Sequence, residues 1–182
     1  MGVCHRDMSL ENILLDQDST SIIIDLGMCL RVPFAPNDDD GQVTDVTSGN
    51  LRLLINPMIP CGKRYYVSPE VIQSEGPFDG FAIDLWASGV ILFIMLVGLP
   101  PWEGALHSDQ RYRTIINGDL ARMLQCWDRQ VSGPAADLLQ NMLNRNPRDR
   151  LSLGQVMDHP WVLDEDGTGA FPPQFEDEPW RG

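Results

Sequence analysis

The sequence is short of positive charge, because 13 lysine and arginine residues stand against 26 aspartate and glutamate residues. The formal net charge is −13. Binding to nucleic acid or to an anionic membrane needs clustered lysine and arginine, so this charge disfavours both functions. A basic peptide would be attracted instead. Part of the acidity falls in residues 38–40 and 164–178, where we expect a solvated loop and tail.

Cysteine is also scarce, and signals for export are missing. The four cysteines lie far apart without a C-x-x-C pair, which argues against a disulfide framework or a zinc site and predicts a reducing environment. No apolar block of signal-peptide type opens the sequence, and the longest apolar stretch, residues 90–97, is too short to cross a bilayer. We therefore expect a soluble protein in the cytoplasm or another intracellular compartment.

The apolar content suits one domain with a sizeable buried core, since 43% of the residues are hydrophobic. Two aliphatic runs, residues 13–15 and 22–24, flank a polar segment and predict a small hairpin. Residues 33–60 are rich in Pro, Gly, Asn, Asp, Ser and Thr with little periodicity, which is typical of a long loop.

The second half of the sequence is predicted to be helical. Residues 79–99 are apolar nearly all round, which predicts a helix buried at the centre of the fold and stopped by the two prolines that follow. Amphipathic patterns predict packing helices at 109–117 and 133–143 and a last short helix at 152–157. No internal repeat is present.

Five motifs occur in a fixed order along the chain. They are H-R-D-M-S-L-E-N from residue 5, D-L-G from residue 25, G-K-R-Y-Y-V-S-P-E from residue 62, D-L-W-A-S-G from residue 84, and Arg150 followed by H-P-W from residue 159. Together they resemble the eukaryotic-type serine/threonine protein kinases over residues 3–162. One of these motifs alone would be weak, but five in order at suitable spacing make a strong signal.

The resemblance implies the α+β fold of the protein kinases. This chain would be its mainly α-helical large lobe, with a small β-hairpin region near the N-terminus and the small lobe absent. Residues 1–162 would form the partial kinase domain, which includes a long activation-segment loop at 28–61. Residues 163–182 would be an acidic, loosely ordered tail.

The base and the metal ligands implied by the resemblance belong to the first two motifs. Asp7 would be the base that accepts or orients the hydroxyl proton of the acceptor. Asn12 and Asp25 would supply the hard oxygen ligands that hold Mg²⁺ and its ATP, and Gly27 would permit the turn after Asp25. Leu26 stands where the family usually has Phe and is expected to remain an apolar anchor.

Other matching residues are expected to be structural. His5 would pack beneath the catalytic loop and not act as a base. Glu70 and Arg150 would form a buried ion pair between the substrate loop and the last helices, since arginine suits a bidentate contact with a carboxylate. Asp84 would hold the backbone of the catalytic loop by hydrogen bonds.

The substrate is expected to be a protein with a serine or threonine acceptor. Glu11, Gly62 and Tyr66 are the positions expected to place it. Glu11 would meet a basic residue upstream of the acceptor, although a solvated glutamate is the alternative. Residues 84–102 and 159–161 resemble most the calcium/calmodulin-dependent group, and the oligomeric state stays open.

Two departures from the family pattern occur together. Ser9 replaces the lysine that usually follows the base by two residues, and Lys63 replaces the usual threonine after Gly62. Because these two positions lie close together in the family, we hypothesise that Lys63 supplies the catalytic cation that Ser9 lacks. The alternative is that Ser9 marks a weakened or inactive enzyme and that Lys63 is merely exposed.

Arg6 is the residue that would receive a phosphorylated activation loop, because a guanidinium pairs well with phosphate. Residues 49–67 contain no serine or threonine, and the nearest hydroxyls are Thr44, Thr47 and Ser48. Three alternatives remain: these residues are phosphorylated, the aspartates at 38–40 replace the phosphate, or the loop needs none.

Two functions are consistent with the sequence. The first is a serine/threonine kinase that transfers the γ-phosphate of ATP, and the second is an inactive kinase remnant that acts as a protein-interaction module. The 182 residues contain neither a glycine-rich G-x-G-x-x-G before the catalytic loop nor the lysine that normally accompanies it. We therefore expect weak ATP binding, inactivity of the isolated chain, and exposed apolar surface around the helix predicted at 79–99.

Overall fold

The computed structural model describes residues 2–32, 52–56, 61–73 and 76–163. Short strands come first: β1 (Val3–Cys4), β2 (Ile13–Leu15), β3 (Ser21–Ile23) and β4 (Leu30–Arg31). Helices follow: α1 (Pro69–Gln73), α2 (Gly80–Val97), α3 (Gln110–Ile116), α4 (Leu120–Cys126), α5 (Gly133–Met142), α6 (Leu153–Met157) and α7 (Pro160–Leu163). The predicted fold class, mainly helical with a small β region near the N-terminus, is confirmed.

The predicted hairpin is formed by β2 and β3, which pair antiparallel with Ile13 opposite Ile23. Its turn is held by the Asp16 side chain, whose Oδ1 accepts hydrogen bonds from the backbone N–H groups of Asp18 at 2.9 Å and Thr20 at 2.8 Å. A second antiparallel pair joins β1 to β4. Each of these two strands has only two residues, too few for an alternating pattern to be recognised in the sequence.

Helix α2 runs through the centre of the hydrophobic core. It begins after Asp79, whose Oδ1 accepts a hydrogen bond from the backbone N–H of Phe81 at 2.9 Å, and it ends at Gly98 in the left-handed region with φ 84°. Trp86, Val90 and Phe93 on this helix are completely buried. The prediction of a buried central helix is confirmed, with bounds one or two residues inside those expected.

Among the described residues, α2 is also the one helix long and apolar enough to cross a membrane by length and composition. It has 18 residues with a mean hydropathy of 2.1, so the apolar run is longer than the stretch 90–97 considered above. However, 56% of it is buried inside the fold, and the core helix of a soluble protein satisfies the same test. The helix therefore gives only weak evidence for a membrane.

The predicted helices at 109–117, 133–143 and 152–157 are present as α3, α5 and α6. Helices α1, α4 and α7 were not predicted, so 152–157 is not the last helix. The equally short α3 and α6 each begin with a side-chain cap, Asp109 and Ser152, whereas Asp119 before α4 makes no capping hydrogen bond. Helix α4 nevertheless buries Leu120, Met123 and Leu124. It starts just after Gly118, whose φ of 89° reverses the chain behind α3.

Part of the region predicted as a long loop at 28–61 is ordered against α2. Ile55 and Phe78 exchange backbone hydrogen bonds of 2.8 and 2.9 Å, and Arg52 forms a buried ion pair of 2.5 Å with Asp79. β4 also falls inside this range. The remainder of the loop, residues 33–51 and 57–60, and the tail from 164 onwards lie outside the described residues.

Exposed apolar side chains of the described residues lie mainly in two places: in the hairpin with the turn that follows it, and in α6 and α7, where Leu153, Met157, Val162 and Leu163 are exposed. We expected them around α2, but on that helix Met95 is the one large apolar side chain among them, and α3, α5 and the segment 52–56 pack against the helix. The expectation that Leu26 anchors its turn is not met within the described part of the chain, where this residue is 66% exposed. The exposed apolar residues of the hairpin and its following turn lie on both faces of the hairpin. We call them together the hairpin surface; they are Leu14, Leu15, Ile22, Ile23, Leu26 and Met28.

Candidate functional site

The backbone of the catalytic loop is fixed by a carboxylate on α2. Asp84 Oδ2 accepts a hydrogen bond from the His5 backbone N–H at 2.6 Å, and Oδ1 accepts one from the Arg6 N–H at 2.9 Å. Arg6 has a positive φ of 68°, which this pair of bonds helps to hold. Burial raises the pKa of the Asp84 carboxyl, although the two N–H donors favour its charged form. The contacts are those expected for Asp84.

The imidazole of His5 is built into the same support. It is 7% exposed, its Nε2 lies 2.9 Å from the Ile24 carbonyl oxygen, and its Nδ1 accepts a hydrogen bond from the Asp7 backbone N–H at 3.3 Å. The Nε2 hydrogen bond joins the catalytic loop to the end of β3. Both ring nitrogens are therefore occupied, as expected for a residue that packs beneath the loop.

The Asp7 carboxylate has one oxygen in use and one available. Oδ2 accepts a hydrogen bond of 3.3 Å from Asn12 Nδ2, which also donates to the Asp7 backbone carbonyl at 2.7 Å. Oδ1 is buried and has no hydrogen-bond partner in the described part of the chain. A buried acceptor without a donor is costly, so this oxygen is suited to receive a hydroxyl from another molecule.

The open end of the hairpin brings together the two residues predicted to hold a metal. Asn12 immediately precedes β2 and Asp25 follows β3 by two residues, and the Ile24 N–H donates to the Asn12 carbonyl at 2.9 Å. Asp25 has a left-handed backbone with φ 61°, and its Oδ1 accepts a long hydrogen bond of 3.4 Å from the Gly27 N–H.

These two side chains fit a magnesium ion. Asn12 is nearly buried, and its amide nitrogen is engaged by Asp7, which leaves the amide oxygen as its metal-binding atom. Asp25 is exposed and adds a carboxylate. One carboxylate and one amide oxygen, completed by water and phosphate oxygens, are the kind of ligand set that Mg²⁺ takes at nucleotide sites.

Lys63 contacts the residue that replaces the missing lysine. Its Nζ donates hydrogen bonds to Ser9 Oγ at 2.7 Å and to Glu11 Oε2 at 3.3 Å. Ser9 is completely buried, whereas the side chains of Lys63 and Glu11 are 38% and 62% exposed. The pKa of the Glu11 carboxyl is lowered, first by a hydrogen bond from the backbone N–H of Glu11 itself and then by hydrogen bonds from Ser9 and Lys63. The sequence placed Lys63 beside Ser9, but not its pairing with Glu11.

The substrate loop lies directly against the catalytic loop. Gly62 has a φ of 104°, and a Cβ atom there would lie 3.2 Å from the Arg6 carbonyl oxygen and 4.0 Å from Asp7 Oδ1. Tyr66 is 7% exposed, and burial raises the pKa of its hydroxyl. A side chain at position 62 would thus be both strained and crowded, so glycine is required.

The ion pair predicted between Glu70 and Arg150 is present. Two parallel hydrogen bonds of 2.9 and 3.2 Å join the guanidinium to the carboxylate. Arg150 also donates to the Ala82 carbonyl of α2 at 2.6 Å, and its guanidinium lies 4.9 Å from the centre of the Trp86 ring. The contact ties the end of the substrate loop to the central helix and to the chain before α6.

Arg6 Nη1 donates a hydrogen bond of 3.4 Å to the Met28 carbonyl, close to the start of the loop it was predicted to regulate. The candidate phosphate acceptors Thr44, Thr47 and Ser48 lie outside the described residues, so their roles stay predictions.

Cys61 is a residue at the site that sequence reasoning did not select. It lines a pocket between the catalytic loop, the substrate loop and α2, together with Asp7, Tyr66 and Asp84. Its Sγ lies 3.9 Å from the Arg6 carbonyl oxygen, and burial raises the pKa of its thiol. Its position directly before Gly62 was the available signal in the sequence.

Comparison with known proteins identifies one family. The protein kinase domain family matches residues 1–162. The chain is 34% identical over 176 residues to calcium-dependent protein kinase 25 of Arabidopsis thaliana, a match that covers 94% of this chain and 29% of the relative.

Two rice proteins show the same pattern. Calcium-dependent protein kinase 21 of Oryza sativa subsp. japonica is 36% identical over 169 residues, covering 91% of this chain and 26% of the relative. CBL-interacting protein kinase 1 of the same organism is 32% identical over 177 residues, covering 97% and 33%. The chain thus spans a third or less of the length of these relatives.

Proposed function

The chain belongs to the protein kinase family, and from this premise we propose that it carries the catalytic loop and acceptor-binding surface of a serine/threonine kinase. The reaction is transfer of the γ-phosphate of ATP to a serine or threonine hydroxyl of a protein. The free cysteines Cys4, Cys29, Cys61 and Cys126 are consistent with an intracellular protein.

The observation that supports this proposal best is the arrangement of Asp7. One oxygen of its carboxylate is anchored by Asn12, and the other is buried beside Gly62 of the substrate loop and receives no hydrogen bond from any described residue. An acceptor hydroxyl entering there satisfies that oxygen and is oriented by it. The anchored oxygen keeps the carboxylate from turning away.

Asn12 and Asp25 would hold the metal of Mg-ATP at the open end of the hairpin. When bound, Mg²⁺ neutralises charge that develops on the phosphate oxygens. The protein's own contribution is positional, because phosphoryl transfer depends mainly on alignment and charge stabilisation. Asp84 and His5 fix the loop backbone, so that Asp7 and Asn12 keep one relative position.

Lys63 is the residue we propose as the catalytic cation. The hydrogen bond of 2.7 Å between its ammonium and Ser9 places positive charge beside the position where the family usually carries lysine. A lysine is a flexible point charge on a long stem, so a cation can be delivered from a different loop. Its contact of 3.3 Å with Glu11 offsets part of that charge at rest, so the cation acts when a phosphate draws the ammonium towards itself.

The protein should be tested in the form its own cells produce. A tag added after codon 182 at the native locus allows the protein to be purified together with any sequence encoded upstream. Sequencing the transcript before codon 1 shows whether a glycine-rich loop and its lysine are encoded there. We expect magnesium-dependent phosphate transfer to serine or threonine, lost in Asp7→Asn. Lys63→Met should lower the rate by about ten- to a hundredfold, and Lys63→Arg by less.

The same experiment also distinguishes an active kinase from an inactive protein-interaction module. Phosphate transfer that is unchanged in Asp7→Asn would exclude the proposed chemistry. A purified product that transfers no phosphate, with a transcript that lacks the upstream motifs, would favour the interaction module. The 182 residues alone are expected to bind Mg-ATP weakly, because the motif that cradles the phosphates is not among them.

A further inference from the structure

Glu11 already has a basic partner inside the chain. We propose that Lys63 takes the place beside the Glu11 carboxylate that a basic residue of the acceptor would otherwise take. As a result, the protein does not select acceptor segments that contain basic residues. This inference deepens the proposed function, on which it rests, by defining the class of acceptor. It reverses the expectation that an acidic chain selects basic residues upstream of the acceptor.

The position of Glu11 makes it the carboxylate that acceptor side chains would meet. It lies four residues after Asp7 in the short turn Leu10–Asn12 that follows the catalytic loop, and its side chain is 62% exposed. A hydroxyl held at Asp7 brings the neighbouring residues of the same peptide within reach of this turn. A free carboxylate here would attract lysine or arginine.

Lys63 is held in place from both of its ends. Its backbone carbonyl accepts hydrogen bonds from the N–H groups of Tyr66 at 2.8 Å and Val67 at 3.2 Å. Its ammonium donates to the fully buried Ser9 hydroxyl at 2.7 Å, as well as to Glu11. The lysine is therefore not an exposed cation that swings freely, and an incoming cation has to compete with a tethered one.

The charge balance at Glu11 disfavours a second cation. The Lys63 ammonium lies 3.3 Å from Oε2, so the carboxylate and ammonium form a nearly neutral pair. A basic acceptor residue approaching the remaining oxygen meets attraction from the carboxylate and repulsion from the ammonium at similar distances. Displacing Lys63 would also break its bond to Ser9. Acceptors without basic residues are consequently used about as well as those with them.

Arg64 provides a matched control. It is the next residue of the same loop, it is exposed, and it forms no ion pair in the described part of the chain. Its side chain lies beside Gly104, where an added Cβ would be 3.7 Å from Nε. Arg64→Met and Lys63→Met remove the same charge from neighbouring positions, but only Lys63→Met releases Glu11.

The experiment compares two serine peptides that differ only in arginine or alanine at the positions before the acceptor. Relative kcat/KM is measured with the tagged protein, and dissociation constants are measured by NMR titration of the 182-residue chain at millimolar peptide. We expect the wild type and Arg64→Met to favour the arginine peptide by less than about twofold. Lys63→Met should raise this preference by roughly two- to fivefold, and adding Glu11→Gln should abolish the gain.

The outcomes separate this inference from the proposed function. A wild type that strongly prefers the arginine peptide, or a Lys63→Met variant with an unchanged ratio, would overturn the inference. Failure of both peptides to bind would overturn it too, since this face would then accept no acceptor segment. Loss of phosphate transfer with the predicted binding ratios intact would contradict only the proposed kinase activity.

Discussion

At the scale of single residues, the sequence allowed Lys63 to be paired with Ser9 because both depart from one family pattern. The pairing of Lys63 with Glu11 was not accessible in this way, because a glutamate at that position fits the pattern. Whether it faces solvent or a neighbour depends on a side chain 52 residues away. Residues whose identity is unusual are therefore easier to interpret than ordinary residues whose surroundings have changed.

Arg150 gives the clearest prediction for stability. Its side chain is fully buried and pairs with Glu70, so Arg150→Met leaves a partly buried carboxylate without its partner. The expected loss is about 3–5 kcal/mol in the free energy of unfolding, measured by urea denaturation. Arg111→Met is the control, because its pair with Glu103 is exposed and should cost less than about 1 kcal/mol. Equal losses in the two variants would contradict the structure.

Cys4 predicts a dependence of stability on alkaline pH. Burial, together with the nearby Asp84 carboxylate, raises the pKa of this thiol from its ordinary 9.0 to about 11. Between these values the unfolded chain releases the proton and the folded chain keeps it. The stability contribution is therefore complete below pH 9 and is lost as the pH rises through about 11, by an amount on the order of 2 kcal/mol.

Urea denaturation over this pH range checks the effect. Cys4→Ala should lose stability less steeply than the wild type, whereas Cys126→Ala should follow the wild type because that thiol is exposed. Parallel curves for Cys4→Ala and the wild type would refute the assignment.

At the scale of elements, α2 combines two tasks. Its apolar faces form the core, and its one carboxylate, Asp84, supports the catalytic loop. Its length and burial were predictable from composition, because few polar residues interrupt it. Helices α1, α4 and α7 and strands β1 and β4 were not predictable, because they are stabilised by packing and by pairing between distant segments more than by local pattern. The equally short α3 and α6 differ in carrying side-chain caps, Asp109 and Ser152.

Gly80 tests the packing at the start of α2. A Cβ atom there would lie 2.7 Å from Cys4 Sγ and 3.0 Å from Ile55 Cδ1, at the point where β1 and the segment 52–56 both meet the helix. Gly80→Ala should therefore lower the free energy of unfolding by about 1–3 kcal/mol despite the better helix propensity of alanine. Thermal denaturation is the measurement.

The matched variant is Gly133→Ala at the start of α5. No atom lies within 4 Å of a Cβ built there, so this change should be neutral or slightly stabilising. If Gly80→Ala behaved in the same way, the close approach of β1, α2 and the segment 52–56 would be wrong.

At the scale of the whole molecule, the hairpin surface is the larger of the two groups of exposed apolar side chains among the described residues. Leu14 and Ile22 lie directly opposite each other in the hairpin and are 50% and 45% exposed. Replacing both by serine should reduce the binding of a hydrophobic dye and lower self-association, while the free energy of unfolding changes by less than about 1 kcal/mol. Dye fluorescence and sedimentation velocity measure the two effects.

Met95→Ser is the comparison for this prediction, because that side chain is 53% exposed but lies on α2. It should leave dye binding nearly unchanged. Equal effects of the two replacements would show that the hairpin surface does not bind the dye preferentially. The sequence predicted exposed apolar surface around α2, where Met95 is the one large apolar side chain that is exposed. The covering contributed by α3, α5 and the segment 52–56 was not predictable, because it depends on the tertiary arrangement.

The contact between Ser9 and Lys63 also restricts the order in which such a pair can arise. Starting from the usual lysine and threonine, a first change at position 63 places two ammonium groups side by side, whereas a first change at position 9 leaves no cation. Glu11 adjoins both positions and can neutralise part of the doubled charge, so the route through two lysines is the less damaging one. An ancestor with lysine at both positions is the intermediate that this geometry favours.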